Sequence, residues 1–304
     1  MSDFVSGFWS VYVALITLVS VVGCGVFLWV QSKAKATALS AEQVKTMGHV
    51  WDENLEEYNN PLPRWWLWLF YITVAFAIGY LALYPGLGSF PGLKGWTSSG
   101  QYQTERAAAE AKANAYLAQF ASMTVPQLAA DPKAMATARN LFQVNCAMCH
   151  GSDGGGAKGF PNLTDKNWQW GGDPDTVVQT ITAGRIAAMP AWGPVLGAQG
   201  VDQAEAYVEQ LSGQPHDAAL AAAGRTVFET NCAACHGVDG KGNPLVGAPN
   251  LTDDVWLYGG DPATLKATIN AGRNGQMPAF GDRLGAERVR LLAAYAIHLS
   301  ESGS

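Results

Sequence analysis

Two long uncharged runs dominate the first third of the chain. From about Phe4 to Val30 no charge follows Asp3, and from about Trp65 to Tyr84 there is none at all. A helix needs about 20 apolar residues to cross the hydrocarbon core of a bilayer, so the pattern predicts two transmembrane helices, over residues 4–30 and 65–84. Beyond Tyr84 the pattern changes. Pro85-Gly-Leu-Gly-Ser-Phe-Pro-Gly-Leu-Lys-Gly is a turn-rich exit, and the alanine-rich stretch Thr104–Ala121 predicts a helical arm. Asp131-Pro132 then supplies an N-cap with proline at the first helical position.

From that point the chain repeats itself. Arg139-Asn-Leu-Phe-Gln-Val-Asn-Cys-Ala-Met-Cys-His-Gly matches Arg225-Thr-Val-Phe-Glu-Thr-Asn-Cys-Ala-Ala-Cys-His-Gly at an offset of 86 residues. After a two-residue insertion the offset is 88. It links Pro161-Asn-Leu-Thr-Asp to Pro249-Asn-Leu-Thr-Asp, Gly171-Gly-Asp-Pro to Gly259-Gly-Asp-Pro, and Met189-Pro-Ala-Trp to Met277-Pro-Ala-Phe. Matching positions along the full length mark an internal duplication. The expected organisation is a membrane anchor over 1–84, a linker with its helical arm over 85–130, and two small domains over 131–213 and 214–304.

Composition supports an anchored protein. Of the 304 residues only 14% are charged, against about a quarter in soluble domains. Lys33, Lys35, Lys45 and Arg64 all fall between the two apolar runs, and no Lys or Arg precedes the first. The positive-inside rule therefore places residues 31–64 in the cytoplasm and both termini outside. The missing basic start argues against a cleaved signal peptide. It also argues against reading Val21-Val22-Gly23-Cys24 as a lipoprotein cleavage box, as does the apolar continuation to Val30. Cys24 then reads as a small buried hydrophobe. A net charge of −6 excludes nucleic acid as a partner.

The remaining four cysteines form two Cys-x-x-Cys-His units, Cys146-Ala-Met-Cys149-His150 and Cys232-Ala-Ala-Cys235-His236. This spacing attaches a c-type haem: two thiols reach the porphyrin vinyl groups, and the next histidine binds the iron. Two matches at equivalent positions of a duplication imply two covalently bound haem c groups. A single four-thiolate zinc site would leave both histidines and the downstream repeat without a role. Of seven methionines only Met189 and Met277 recur at equivalent positions, and methionine is the sixth ligand that raises a haem potential. The axial iron ligands are thus expected to be His150, His236, Met189 and Met277. Spacing leaves open whether each methionine serves its own repeat or the other. Arg185 and Arg273, four residues before each methionine, suit haem propionates, although a solvated arginine fits the same pattern. Trp168, Trp256, Trp192 and Phe280 are candidate pocket walls. His49, His216 and His298 have no repeated context.

The two Pro-Asn-Leu units resemble a loop of class I cytochromes c. That resemblance implies that the Pro161 and Pro249 carbonyls accept a hydrogen bond from the ligating imidazoles and that Leu163 and Leu251 pack on the haems. The fold class is then all-α, two transmembrane helices followed by two tandem class I cytochrome c domains. From about Asp52 onward the whole combination resembles the diheme subunit of cbb3-type cytochrome c oxidases, the CcoP or FixP type. Asn59-Asn-Pro-Leu-Pro-Arg-Trp-Trp, opening the second apolar run, is its most specific part. The family implies a non-catalytic subunit in the bacterial inner membrane, with the haem domains in the periplasm. Such a subunit takes electrons from a soluble or membrane donor cytochrome c and passes them to a monohaem c subunit. They then reach the haem b and copper catalytic subunit, which reduces O2 to water with proton pumping. A first apolar run is absent from the family's simpler pattern. The alternatives are a free-standing diheme shuttle of the cytochrome c4 kind, the cytochrome subunit of a periplasmic dehydrogenase, and a gas sensor with an open iron.

Overall fold

The computed structural model describes residues 6–33, 46–58 and 63–302. Asn59, Asn60, Pro61 and Leu62 of the proline-rich motif, and Lys35 and Lys45 of the basic loop, lie outside the described residues. The chain is mostly helical and divides into two compact units, Met1–Ala113 and Asn114–Ser304.

In the first unit the apolar runs form α1 (Gly7–Ser32) and α2 (Arg64–Leu83). Both are long and apolar enough to cross a membrane. They pack against each other, with Gly25 beside Val74. Pro63 starts α2: its carbonyl accepts the first amides, from Trp66 and Leu67 at 3.0 and 3.1 Å. At the other end the turn after Tyr84 folds back. Leu93 and Lys94 donate to the carbonyls of Ala82 and Leu83, supplying partners to groups a helix end leaves bare. The Ser89 amide donates to Ser10 Oγ at 2.7 Å, so the end of α2 lies beside the start of α1 and the two helices are antiparallel. Gly88, with φ 60°, is required there because a Cβ would fall 2.2 Å from the Ser10 carbonyl oxygen. Cys24 departs from its expected burial and is exposed on α1, because α2 covers only one face of its neighbour.

The expectation of an all-α chain is corrected in two places. The first is an antiparallel hairpin between the apolar runs, β1 (Thr46–Trp51) with β2 (Leu55–Tyr58). The second joins the two repeats. Residues Arg185–Met189 (β3) pair antiparallel with Arg273–Met277 (β4), Arg185 opposite Met277 and Met189 opposite Arg273.

The helical arm is α3 (Ser98–Leu117), closed by a 3-10 turn at Ala118–Phe120. It begins six residues before the alanine run because Thr97 Oγ1 accepts from the Gly100 amide at 3.0 Å. Next come α4 (Val125–Ala130), with a reciprocal Thr124/Gln127 capping box, and α5 (Pro132–Asn145). Asp131 caps α5 by accepting from the Ala134 amide at 2.7 Å. The first repeat continues through α6 (Ala147–His150), α7 (Pro174–Ala183), β3 and α8 (Gly193–Leu211), which is kinked at Gly197. The second runs through α9 (Ala218–Asn231), α10 (Ala233–His236), α11 (Pro262–Ala271), β4, α12 (Gly281–Leu284) and α13 (Ala286–Ser302).

The repeats exchange their C-terminal parts. Helix α13 packs on α4, α5 and α7, and α12 packs on α7. Conversely α8 packs on α9 and α11. Two equivalent aromatic contacts mark the exchange, Phe142 with Tyr295 and Tyr207 with Phe228, each with centroids 5.3 Å apart at 55°. The physical cause lies in the link between α8 and α9. It is only a few residues long, and short connections make antiparallel neighbours. Helix α8 therefore occupies the face of α9 that α13 would need, and α13 lies on α5. The strands β3 and β4 are the crossing point. Each lobe draws on both repeats, one core being built from α4, α5, α7 and α13 and the other from α8, α9 and α11.

Candidate haem sites

Each attachment motif sits on a single helical turn following a longer helix. The Cys146 amide still donates to Phe142 of α5, and Cys149 and His150 donate back to the Cys146 carbonyl. Cys232, Cys235 and His236 repeat the arrangement on α9. This turn holds the two thiols and the imidazole on one short surface. The loop that follows returns to meet the histidine. Gly156 donates to the His150 carbonyl at 2.8 Å and Leu163 to the Gly154 carbonyl at 2.7 Å; Gly242 and Leu251 do the same to His236 and Gly240. At Gly156, with φ 74°, a Cβ would meet the Phe160 carbonyl oxygen at 2.6 Å, so only glycine allows the loop to close. The two extra residues of the second repeat are absorbed between Asn243 and Ala248, which bond to each other.

Closure places His150 Nδ1 3.0 Å from the Pro161 carbonyl and His236 Nδ1 3.1 Å from the Pro249 carbonyl. A carbonyl only accepts, so Nδ1 carries the proton and donates while Nε2 keeps a free lone pair for a metal. His236 is buried, and burial holds its pKa down, favouring the neutral, ligating form. Burial also pushes the Cys146 and Cys232 thiols up to about 11. Arg283 opposes that shift at Cys146.

The methionines fall on opposite lobes from their repeats. Met277 and Phe280 pack against the α5/α7/α13 core together with Cys146, Ala147, Leu163 and Trp168. Met189 and Trp192 pack against the other core with Leu196 and Val227. Backbone bonds hold these segments across the exchange, Phe280 to the Ile181 carbonyl and Trp192 to the Ile269 carbonyl, both at 3.0 Å. Leu251 and Trp256 are half-buried in the second loop. Trp168 and Trp256 each lie on a glycine, Gly172 or Gly260, where a Cβ would fall 2.4 Å from the indole.

Arg185 and Arg273 are half-buried and fixed rather than solvated. Their Nε atoms donate to Thr180 and Thr268 at 2.9 Å, and their guanidinium carbons lie 4.8 and 4.3 Å from the ring centroids of Trp170 and Tyr258. These threonines and aromatics recur at the same offset of 88, a signal that the sequence carried and that composition alone does not expose. Among the described residues, no three His, Cys, Asp or Glu side chains gather as a metal cluster, which leaves a four-thiolate site without support. In the first lobe a thiol of the attachment motif, a thioether and aromatic side chains share one apolar core beside an oriented imidazole, a donor set that suits a c-type haem; in the second the thioether and Trp192 pack with Val227 of α9, the helix that leads into the second motif.

The family described as cytochrome c oxidase, cbb3-type, subunit III, matches residues 133–208 and 219–295. The N-terminal domain of cytochrome oxidase-cbb3, FixP, matches residues 43–91. A cbb3-type cytochrome c oxidase subunit CcoP from Rubrivivax gelatinosus is 48% identical over 305 residues, covering 100% of this chain and 99% of its own. The chain belongs to the CcoP/FixP family. A CcoP from Cereibacter sphaeroides is 43% identical over 86% of this chain and 96% of its own length, and a FixP from Azorhizobium caulinodans 42% over 82% and 91%. The CcoP/FixP segment at 43–91 takes in β1, β2 and α2 but not α1, whereas the Rubrivivax relative aligns with α1 as well.

Proposed function

We propose that this chain is a diheme electron-transfer subunit of a cbb3-type oxidase, crossing the bacterial inner membrane twice, with residues 31–64 in the cytoplasm and residues 85–304 in the periplasm. Membership of the CcoP/FixP family supports the role, and the antiparallel packing of α1 and α2 supports the topology. The observation that carries the haem assignment is the pair of imidazole-to-proline-carbonyl bonds, made at equivalent positions of both repeats.

When bound, haem c supplies a one-electron couple. Cys146 and Cys149 hold one group and Cys232 and Cys235 the other, as thioethers that fix each haem to a rigid helical turn. His150 and Met277 would hold the iron of the first group, and His236 and Met189 that of the second, because Met277 packs with Cys146 in one lobe and Met189 packs with Val227 of α9 in the other. Pro161 and Pro249 hold the imidazoles in the ligating tautomer, and the thioether sulfurs raise the potentials. Leu163, Leu251, Trp168, Trp256, Trp192 and Phe280 exclude water. Arg185 and Arg273, already fixed by threonine, present their remaining guanidinium donors to propionates. With a histidine and a methionine to hold each iron, the bound groups would carry electrons rather than bind oxygen, so the chain conducts electrons and does not reduce O2 itself. The donor is a soluble or membrane cytochrome c. The acceptor is the monohaem c subunit, with the haem b and copper subunit beyond it.

Purification in mild detergent with a pyridine haemochrome assay tests this reading. Two covalent haems on the chain, together with haem b and copper in the same complex, are expected. A preparation holding only the two covalent haems would favour a free-standing shuttle instead.

A further inference from the structure

Among the described residues, the β1–β2 hairpin buries no side chain. Every residue of both strands and of the turn between them is exposed. Met47, Val50, Trp51, Leu55 and Tyr58 are each more than half exposed. An isolated two-stranded hairpin is marginal in water, so a surface this apolar calls for a partner. The register sets Trp51 opposite Leu55 as an apolar pair on one face.

The turn adds a second observation. Asp52 and Glu53 both have positive φ, 46° and 75°. The cheap residues for such a turn are Asn and Gly, and a glutamate there is strained. Local preference is overridden in favour of charge, as at contact sites. With Glu56 and Glu57, four carboxylates stand within six residues.

Charge then selects between occupants. The cytoplasmic leaflet is anionic and attracts basic segments, so this acidic tip is unsuited to lipid. The cytoplasmic ends of helical membrane proteins carry an excess of Lys and Arg. We propose that the hairpin docks on the lysine- and arginine-rich cytoplasmic rim of a neighbouring helical membrane subunit of the oxidase. Trp51 and Leu55 make the apolar contact, and Asp52, Glu53, Glu56 and Glu57 the charged one. The family segment at 43–91 takes in both the hairpin and α2, so the hairpin belongs to the same family-specific segment as a membrane helix. The inference rests on the topology proposed above.

The test uses the intact complex in its own membrane. A photoreactive amino acid at Val50 should form an adduct with a membrane protein subunit; an adduct with lipid alone, or none, overturns the proposal. The triple variant Glu53→Lys, Glu56→Lys, Glu57→Lys should lower the haem b recovered per covalent haem c by about tenfold after mild solubilisation. Covalent haem on the variant chain should stay unchanged, since no packed core is touched. A wild-type haem b ratio in the variant would overturn the docking site alone. Absence of haem b from the wild-type preparation would instead sink the oxidase reading, and the docking site with it.

Discussion

Tyr295 packs on Phe142, centroids 5.3 Å apart, although the two residues belong to different repeats. Its counterpart is Tyr207 on Phe228, with the same separation and the same angle. The two contacts define lobes that each require both repeats, and the proposed iron ligands divide along the same lines. In a background lacking Cys232 and Cys235, which carries only the first haem, Met277→Ala should abolish the sulfur-to-iron absorption band near the red end of the spectrum and lower the potential. Met189→Ala should leave both unchanged. The opposite result would show that each repeat keeps its own methionine.

Why this exchange escapes a reading of the sequence is visible in the same residues. Phe142 and Phe228 are equivalent, as are Tyr207 and Tyr295, so pairing within a repeat and pairing across repeats satisfy the pattern equally well. Only the length of the link between α8 and α9 breaks the tie, and that is a constraint on chain reach rather than on residue type. The local features were legible because they are local. The attachment motifs, the Asp131-Pro132 cap and the apolar runs each depend on neighbours a few positions apart. The hairpin was not legible, since its turn, Asp52-Glu53-Asn54, lacks the glycine by which such turns are recognised.

Gly224, inside the second lobe, differs from its counterpart in the first by a single side-chain carbon. A Cβ there would fall 1.9 Å from the Gln203 carbonyl oxygen, a backbone group of α8 that cannot swing aside. The equivalent residue of the first repeat is Ala138, fully buried without such a clash. Gly224→Ala should therefore destabilise the protein by about 1–3 kcal/mol through overpacking, despite the better helix propensity of alanine. Ala138→Gly should cost only about 1 kcal/mol. Thermal unfolding of the full chain in detergent would compare them, and a stabilising Gly224→Ala would refute close contact between α8 and α9.

Closure of the first haem loop depends on Gly156. With φ 74° and a carbonyl oxygen 2.6 Å from any Cβ, valine there should open the loop and separate His150 from Pro161. Mass spectrometry of the Gly156→Val chain should find a deficit of the haem held by Cys146 and Cys149, with the second haem intact. Full occupancy and unchanged His150 ligation would mean that the loop is not what orients the imidazole.

The second lobe carries a pH dependence that the first lacks. Glu205 and Glu209, one turn apart on α8, are both buried, with Lys266 Nζ 3.8 Å from Glu205 and 2.9 Å from Asp202. The equivalent positions of the first lobe are Val178, Arg290, Ala293 and Ile297. Burial, reinforced by the Glu209 charge and opposed by Lys266, pushes the Glu205 carboxyl up to about 7 from 4.5. The raised carboxyl keeps its proton in the folded state while the unfolded chain loses it. Stability should thus fall as pH rises from about 4.5 to about 7 and level off above, the reverse of a salt-bridged carboxylate. Glu205→Gln should flatten that slope and raise the melting temperature at pH 8 relative to wild type. Lys266→Met should lower it at pH 8, because the carboxylate then forms without its neighbouring cation. An unfolding series from pH 5 to pH 8 in which Glu205→Gln tracks wild type would show that Glu205 is ionised in the folded protein throughout.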